Sequence, residues 1–168
     1  VGLLLGREGP APGGRCYNPG MRVEVDQSGR FENTSQDTVV AFSNGECFSI
    51  LIPARVKRAC IERMRRRGIK PPRTQVLLFA TALYLLLKEH IHHIDLVEID
   101  QEHVGHEHLI NQHVRNLFAR AGVRVYQDKF RFVLVGKKSP AHKVAIETFR
   151  GRRQPDKVIF LEEMLVEL

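Results

Sequence analysis

The sequence predicts an α/β fold: a mixed five-stranded sheet, made of an antiparallel three-strand meander plus parallel strands, flanked by helices. Three β-rich runs joined by short turns come first and favour the meander. Later strands alternate with helices, which favours parallel strands added through helical crossovers. With 168 residues, 43% of them hydrophobic, the chain has the size of one domain with a buried core.

Alternation and turn residues mark the strands of the meander. Residues 21–27 alternate hydrophobic and acidic or polar side chains, as expected for a strand with one buried face. The β-rich runs 38–42 and 47–52 follow, and they are separated by Asn44-Gly45, a strong hairpin signal. These runs are the second and third predicted strands.

Helices and strands alternate in the rest of the chain. Pro53 ends the third strand and begins a helix, and Gly122 has the position typical of a helix end. Ser139 followed by Pro140 is the pattern of an N-cap with proline in the first helical position. We predict helices at 54–67, 74–90, 107–121 and 140–150 and strands at 94–100 and 130–135, whereas 157–168 fits either a strand or a helix.

The first twenty residues differ from the remainder. Residues 1–20 are rich in glycine and proline, have no periodicity and lack the basic start of a signal peptide. Two interpretations stay open: an irregular N-terminal arm, or upstream sequence before a natural start at Met21. Residues 21–168 form the single predicted domain.

Charge and composition narrow the classes of partner. Lys and Arg number 26 against 19 Asp and Glu, a net charge of +7 that favours an anionic partner, nucleic acid first. The longest apolar run, 76–87, is too short to cross a bilayer, so no membrane association is expected. Three cysteines without CxxC spacing disfavour a disulfide framework and indicate a reducing, cytoplasmic compartment.

Carboxylates at strand ends are the first candidates for chemistry. Asp26 precedes the break at Ser28-Gly29, while Glu98 and Asp100 are two apart near the end of the fourth strand and share one face. Carboxylates that converge from different strands are suitable ligands for Mg²⁺ or Mn²⁺. The alternative for each is a solvated charge or a helix N-cap.

This arrangement resembles the ribonuclease H-like superfamily, which includes RNase H and the RuvC-type Holliday-junction resolvases. The resemblance extends from Met21 to about Arg153 and rests on element order and acid placement. The turn after Asp26 and the acids of the fourth strand occupy family positions, and Ser139–Ala145 is similar to the late metal-site helix, with His142 in place of the usual Asp.

The resemblance implies a divalent-metal-dependent nuclease that hydrolyses phosphodiester bonds of structured nucleic acid (DNA, RNA or hybrid) by a two-metal-ion mechanism with Mg²⁺ or Mn²⁺. The implied catalytic residues are Asp26, Glu98, Asp100 and His142; the implied metal ligands are these four together with Glu102. The family's acid on the first crossover helix is missing from 74–87, and two helices precede the fourth strand. A noncatalytic nucleic-acid-binding or assembly module on an RNase H-like fold is therefore the alternative.

Basic residues around the proposed helix are candidates for contacts with the phosphate backbone. They are Lys137, Lys138, Lys143, Arg152 and Arg153. No aromatic residues are interleaved with them, so we expect recognition of backbone and shape rather than sequence. The oligomeric state is left open, with a homodimer as one option.

A rival hypothesis concerns the histidines between positions 90 and 113. These are His90, His92, His93, His103, His106, His108 and His113. Their spacing could suit zinc and thus a zinc hydrolase, but no HExxH motif is present. The sequence favours a surface-exposed histidine cluster without metal.

Overall fold

The computed structural model describes residues 20–168, so the predicted arm lies outside the described residues except for Gly20. In this range six strands form one mixed sheet: β1 (Met21–Ser28), β2 (Thr38–Asn44), β3 (Glu46–Ile52), β4 (Ile94–Asp100), β5 (Phe130–Val133) and β6 (Lys157–Val158). Five α-helices of the same range flank it: α1 (Ala54–Arg66), α2 (Arg73–Leu87), α3 (Glu107–Arg120), α4 (Pro140–Phe149) and α5 (Leu161–Glu167). None of these helices is long and apolar enough to cross a membrane.

The strand order is β5-β4-β1-β2-β3-β6. Strands β1, β2 and β3 pair antiparallel, whereas β4 pairs parallel with β1, and β5 with β4. The predicted α/β class, with a meander and added parallel strands, is therefore confirmed. The predicted number of five strands is wrong by one, because β6 pairs parallel with β3 at the other edge. Two residues are too few to show alternation, and the tail contains this strand as well as α5.

Helices cover both faces of the sheet. On one face, α1, α2 and α3 share a continuous hydrophobic core with the inward side chains of the strands. Nearly every side chain of α2 is buried in this core, which explains why this helix carries no acid. On the other face, α4 packs Val144 and Ala145 against Val39 and Ala41 of β2. The start of α4 thereby lies over β1.

The connection after β1 is held in place by backbone and side-chain contacts. Gly29 has a φ of +78°, and a Cβ there would meet the carbonyl oxygen of Asp37 at 2.3 Å, so the turn requires glycine. The buried Lys57 donates hydrogen bonds to the carbonyl oxygens of Arg30 and Asn33 and to Thr38 Oγ1, at 3.1, 2.7 and 2.8 Å. The loop that follows Asp26 is thus anchored to α1.

Candidate metal centre

Asp26 and Asp100 lie side by side at one end of the sheet. Asp26 is near the C-terminal end of β1, and Asp100 is the last residue of the neighbouring parallel strand β4. The register pairs Val25 with Ile99, so the next residue of each strand is an aspartate on the same face. Parallel pairing of adjacent strands thus brings the two carboxylates to one edge.

Glu102 completes a group of three acids, called here the acidic trio: Asp26, Asp100 and Glu102. One carboxylate oxygen from each residue lies within 4.8 Å of the other two. Among residues 20–168 no other group of histidine, cysteine and acidic side chains converges in this way. Oxygen donors at this spacing are the chemistry that hard divalent cations require, so the trio can hold a metal ion.

Each carboxylate of the trio is oriented by hydrogen bonds. Asp26 Oδ1 accepts from the backbone N–H of Gln27 at 2.7 Å, and its Oδ2 lies 2.7 Å from His142 Nδ1. Asp100 Oδ1 accepts from the backbone N–H of Val135 at 2.9 Å. Glu102 Oε2 accepts from Gln27 Nε2 at 2.6 Å. The trio is therefore partly fixed by the protein itself.

Two carboxyl groups of the trio, those of Asp26 and Glu102, have raised pKa values, although only Asp26 is buried by its accessible surface. Desolvation raises the pKa of Asp26, which is 5% exposed, although hydrogen bonds from His142 and Gln27 oppose the rise. The pKa of Glu102 is raised to about 7, first because its carboxyl group is desolvated and then because of the charges of Asp26 and Asp100, while Arg30 and the hydrogen bond from Gln27 oppose the rise. A bound cation would relieve both effects.

His142 reaches the trio from the first turn of α4. Ser139 caps this helix by accepting from the backbone N–H of Ala141 at 3.1 Å, and its hydroxyl donates to Glu24 of β1. These two contacts place the helix start against the strand that carries Asp26. Because Nδ1 faces the Asp26 carboxylate, His142 serves first to orient that carboxylate, and its Nε2 is the ring nitrogen left for other contacts.

Glu98 is not brought into the trio, although the sequence placed it among the candidates. Glu98 lies on the same face of β4 as Asp100 and is 5% exposed, but it is two residues further from the end of the strand. Its carboxylate pairs with Arg22 of β1 and lies 3.8 Å from Arg131 Nη1 of β5. Two arginines from the flanking strands thus take the place of a metal ion.

The five basic candidates fall into two groups. Lys137, Lys138 and Lys143 are exposed and flank the start of α4, close to the segment that contacts Asp100. Arg152 and Arg153 follow the other end of this helix, where Arg153 is half-buried and donates to Cys47 Sγ at 2.9 Å. The three lysines are therefore nearer to the trio than the two arginines.

A solvent-open cleft of about 320 Å³ borders the trio. It is lined by Arg30, Glu32, Glu102 and His103. Neither Arg30 nor Gln27 is among the residues that the sequence predicts for the site. Their position beside the break after β1 is the only sequence signal that could have indicated them.

The histidine hypothesis gains no support in the described part of the chain, because no histidines there form a metal-binding group. His92, His93 and His108 are exposed as expected. Full surface exposure is nevertheless wrong for the other four, since His90, His103, His106 and His113 are half-buried. Desolvation lowers the pKa of His103 and of His113. These two rings pack in or beside the core, where the neutral form is favoured.

Comparison of the chain with protein-family models, with curated proteins and with solved structures finds no match. What the protein does is therefore inferred from its own residues and their geometry.

Proposed function

We propose that the protein is a divalent-metal-dependent nuclease that hydrolyses phosphodiester bonds of structured nucleic acid by a two-metal-ion mechanism. The observation that carries the proposal is the convergence of the acidic trio, Asp26, Asp100 and Glu102, at one end of the sheet. In such enzymes two ions about 3.5–4 Å apart activate a water and stabilise the leaving oxygen. A set of oxygens within 4.8 Å of one another suits ions at that separation.

The strand arrangement supports an RNase H-like fold for this nuclease. Strands β1 to β5 form an antiparallel meander extended by two parallel strands on the far side of β1, as that resemblance implies. Asp26 and Asp100 occupy the two neighbouring strand ends where the resemblance expects acids. β6 is an addition at the opposite edge and leaves the proposed site unchanged.

Within this proposal the residues of the site have distinct tasks. Asp26, Asp100 and Glu102 would together hold the metal ions, which when bound would activate a water and stabilise the leaving oxygen. His142 keeps the Asp26 carboxylate in position through Nδ1, and the backbone of Val135 does the same for Asp100. Mg²⁺ and Mn²⁺ suit this all-oxygen donor set.

The charge distribution supports nucleic acid as the substrate. Lys137, Lys138 and Lys143 are exposed beside the start of α4, and Arg30 lines the cleft next to Glu102. Cations around a carboxylate site can bind the phosphates that flank a scissile bond. Contacts of this kind recognise the backbone and shape of a nucleic acid rather than its sequence.

A cleavage assay on the parent protein and on Asp26→Asn tests the proposal. The substrates are an RNA–DNA hybrid, a four-way junction, a duplex and a single strand, each with Mg²⁺, Mn²⁺ or EDTA. We expect metal-dependent cleavage by the parent and a loss of about 100-fold or more in Asp26→Asn, because the substitution removes one of the three carboxylate charges that would hold the metal. Asp128→Asn, which alters an exposed acid outside the trio, is the matched control and should cleave like the parent.

The noncatalytic module is the second candidate, favoured by the exposed arginines on α1, which do not depend on the trio. Arg55, Arg58, Arg63, Arg65 and Arg66 are exposed on this helix. If the parent and Asp26→Asn bind equally while neither cleaves any substrate, this candidate replaces the nuclease. Cleavage by Asp26→Asn at the parent rate would instead remove Asp26 from the catalytic residues.

A further inference from the structure

Gln27 is a buried side chain beside the acidic trio that none of the roles above includes. It follows Asp26 in β1 and is 6% exposed. Its Nε2 donates to Glu102 Oε2 at 2.6 Å. Its Oε1 is buried and has no hydrogen-bond partner in the described part of the chain.

The unpartnered Oε1 indicates that a donor or a cation belongs at this position. Buried polar atoms in proteins nearly always have a partner. When Glu102 is ionised, as a metal ligand must be, exchanging the two ends of the amide would set Oε1 against a carboxylate oxygen, so that two acceptors would face each other. With Nε2 on Glu102, amide geometry places Oε1 within about 5 Å of the same carboxylate oxygen. The missing partner therefore lies next to the trio.

We propose that Gln27 is a positioning residue of the divalent-metal site. Its Nε2 holds the Glu102 carboxylate in ligating position, and its Oε1 accepts a hydrogen bond from a water bound to Mg²⁺ or Mn²⁺. Such ions keep several of their waters in proteins, and the groups that orient ligands around them contribute strongly to affinity. This role rests on the metal centre of the proposed function, but it does not require cleavage.

A purely structural role for the Gln27 side chain makes a different prediction. The backbone of Gln27 pairs with Val40 in the β1–β2 ladder, and that pairing does not need the amide. If the amide served only the fold, its removal would lower stability without metal and leave metal affinity unchanged. If it serves the metal site, affinity falls while the metal-free protein stays as stable as before.

Gln27→Met, which keeps the length of the side chain but removes both polar atoms, separates these outcomes. Mn²⁺ binding is measured by titration calorimetry without nucleic acid, and melting temperature is measured in EDTA. We expect Mn²⁺ affinity to fall by about 10- to 100-fold, with a melting temperature equal to or above that of the parent. Affinity equal to that of the parent would overturn the role of Gln27.

Asn111→Leu is the matched control, because Asn111 is another buried amide whose carbonyl oxygen has no partner in the described residues. It lies on α3 and donates to the carbonyl oxygen of Gln127, away from the trio. Its replacement should leave Mn²⁺ affinity unchanged. A loss as large as that of Gln27→Met would mean that removing any buried amide disturbs the site, and would overturn the specific role.

Two further measurements keep the test decisive. If Gln27→Met does not fold, Gln27→Asn replaces it in the test. This variant keeps the amide but is too short to reach Glu102, so the same loss of Mn²⁺ affinity is expected, and unchanged affinity overturns the proposal.

A double variant tests whether Gln27 acts through Glu102. In a Glu102→Gln background the additional loss of Mn²⁺ affinity caused by Gln27→Met should be smaller than in the parent, and an undiminished loss would overturn the action through Glu102. Failure of the parent to bind Mn²⁺ would overturn the metal centre itself, whereas equal binding by parent and variants overturns only the role of Gln27.

Discussion

Glu102 is the residue at which the electrostatics of the site can be measured most directly. Its pKa of about 7 in the folded protein lies above the ordinary value of 4.5. The fold therefore favours the protonated form of Glu102. The stabilisation of the folded protein that comes from protonated Glu102 is fully present below the ordinary pKa of 4.5 and is lost as the pH rises through about 7.

The raised pKa of Glu102 predicts how the stability of Glu102→Gln depends on pH in EDTA. The variant stays neutral at every pH, so its melting temperature should fall less than that of the parent between pH 5 and pH 8, and it should be the more stable protein at pH 8. Thermal unfolding across this range is the measurement. Glu162→Gln, an exposed glutamate in α5, is the control and should follow the parent. Parallel curves for parent and Glu102→Gln would contradict the raised pKa.

At the scale of elements, the connection from β5 to α4 ties the basic residues to the acids. β5 ends at Val133, two residues earlier than the sequence indicated, and the backbone N–H of Val135 bonds to Asp100 instead of a neighbouring strand. Lys137 and Lys138 follow in the turn before Ser139 caps α4. One short segment thus holds an acid of the trio and carries the lysines proposed to bind phosphate.

Neutralising these two lysines should weaken nucleic-acid binding without removing the metal site. Lys137→Gln combined with Lys138→Gln is expected to lower affinity and to reduce the slope of log K against log salt by roughly one unit for each phosphate that the variant no longer neutralises. Binding is measured by fluorescence anisotropy at several salt concentrations, in EDTA to prevent cleavage. Lys88→Gln, at the end of α2, is the control. An unchanged salt slope in the double variant would show that these lysines do not contact phosphate.

At the scale of the whole molecule, three separate chain segments meet at one end of the sheet. They are the end of β1, the end of β4 with the residues after it, and the first turn of α4; Asp26 and His142 are 116 positions apart in the sequence. Strand pairing and the packing of α4 on β1 and β2 bring them together. All the described strands and helices lie within residues 21–168.

Removal of residues 1–20 should have little effect on folding, because this segment has no periodic hydrophobic pattern and precedes the first strand. A chain that begins at Met21 is expected to unfold at nearly the same temperature as the full chain and to bind Mn²⁺ with the same affinity, since no candidate site residue and no predicted strand or helix lies in the removed segment. Differential scanning calorimetry of both chains is the measurement. A large drop in melting temperature would show that the N-terminal residues pack on the domain.

Local signals in the sequence were sufficient to predict most of the strands and helices of this fold. Alternation in 21–27, the Asn44-Gly45 turn, Pro53 and the Ser139-Pro140 cap predict strands, a hairpin and helix starts that the structure contains. These signals are local: each depends on a residue's own backbone preference or on the spacing of apolar side chains along a few turns. Residues 157–168 stayed open between strand and helix because a two-residue strand such as β6 is defined by its partner β3 and not by its own pattern.

Which of the candidate residues meet at the site depends on the tertiary structure. Glu98 and Asp100 share one strand face, yet Asp100 meets Asp26 and Glu102 while Glu98 meets Arg22 and Arg131. Gln27 is marked in the sequence only by its position before the break at Ser28-Gly29, and it nonetheless contacts Glu102. The physical reason is that such contacts depend on strand order and on the register between neighbouring strands, which place side chains from distant segments within a few ångströms. A shift of one residue in that register would turn the same acids to the opposite face.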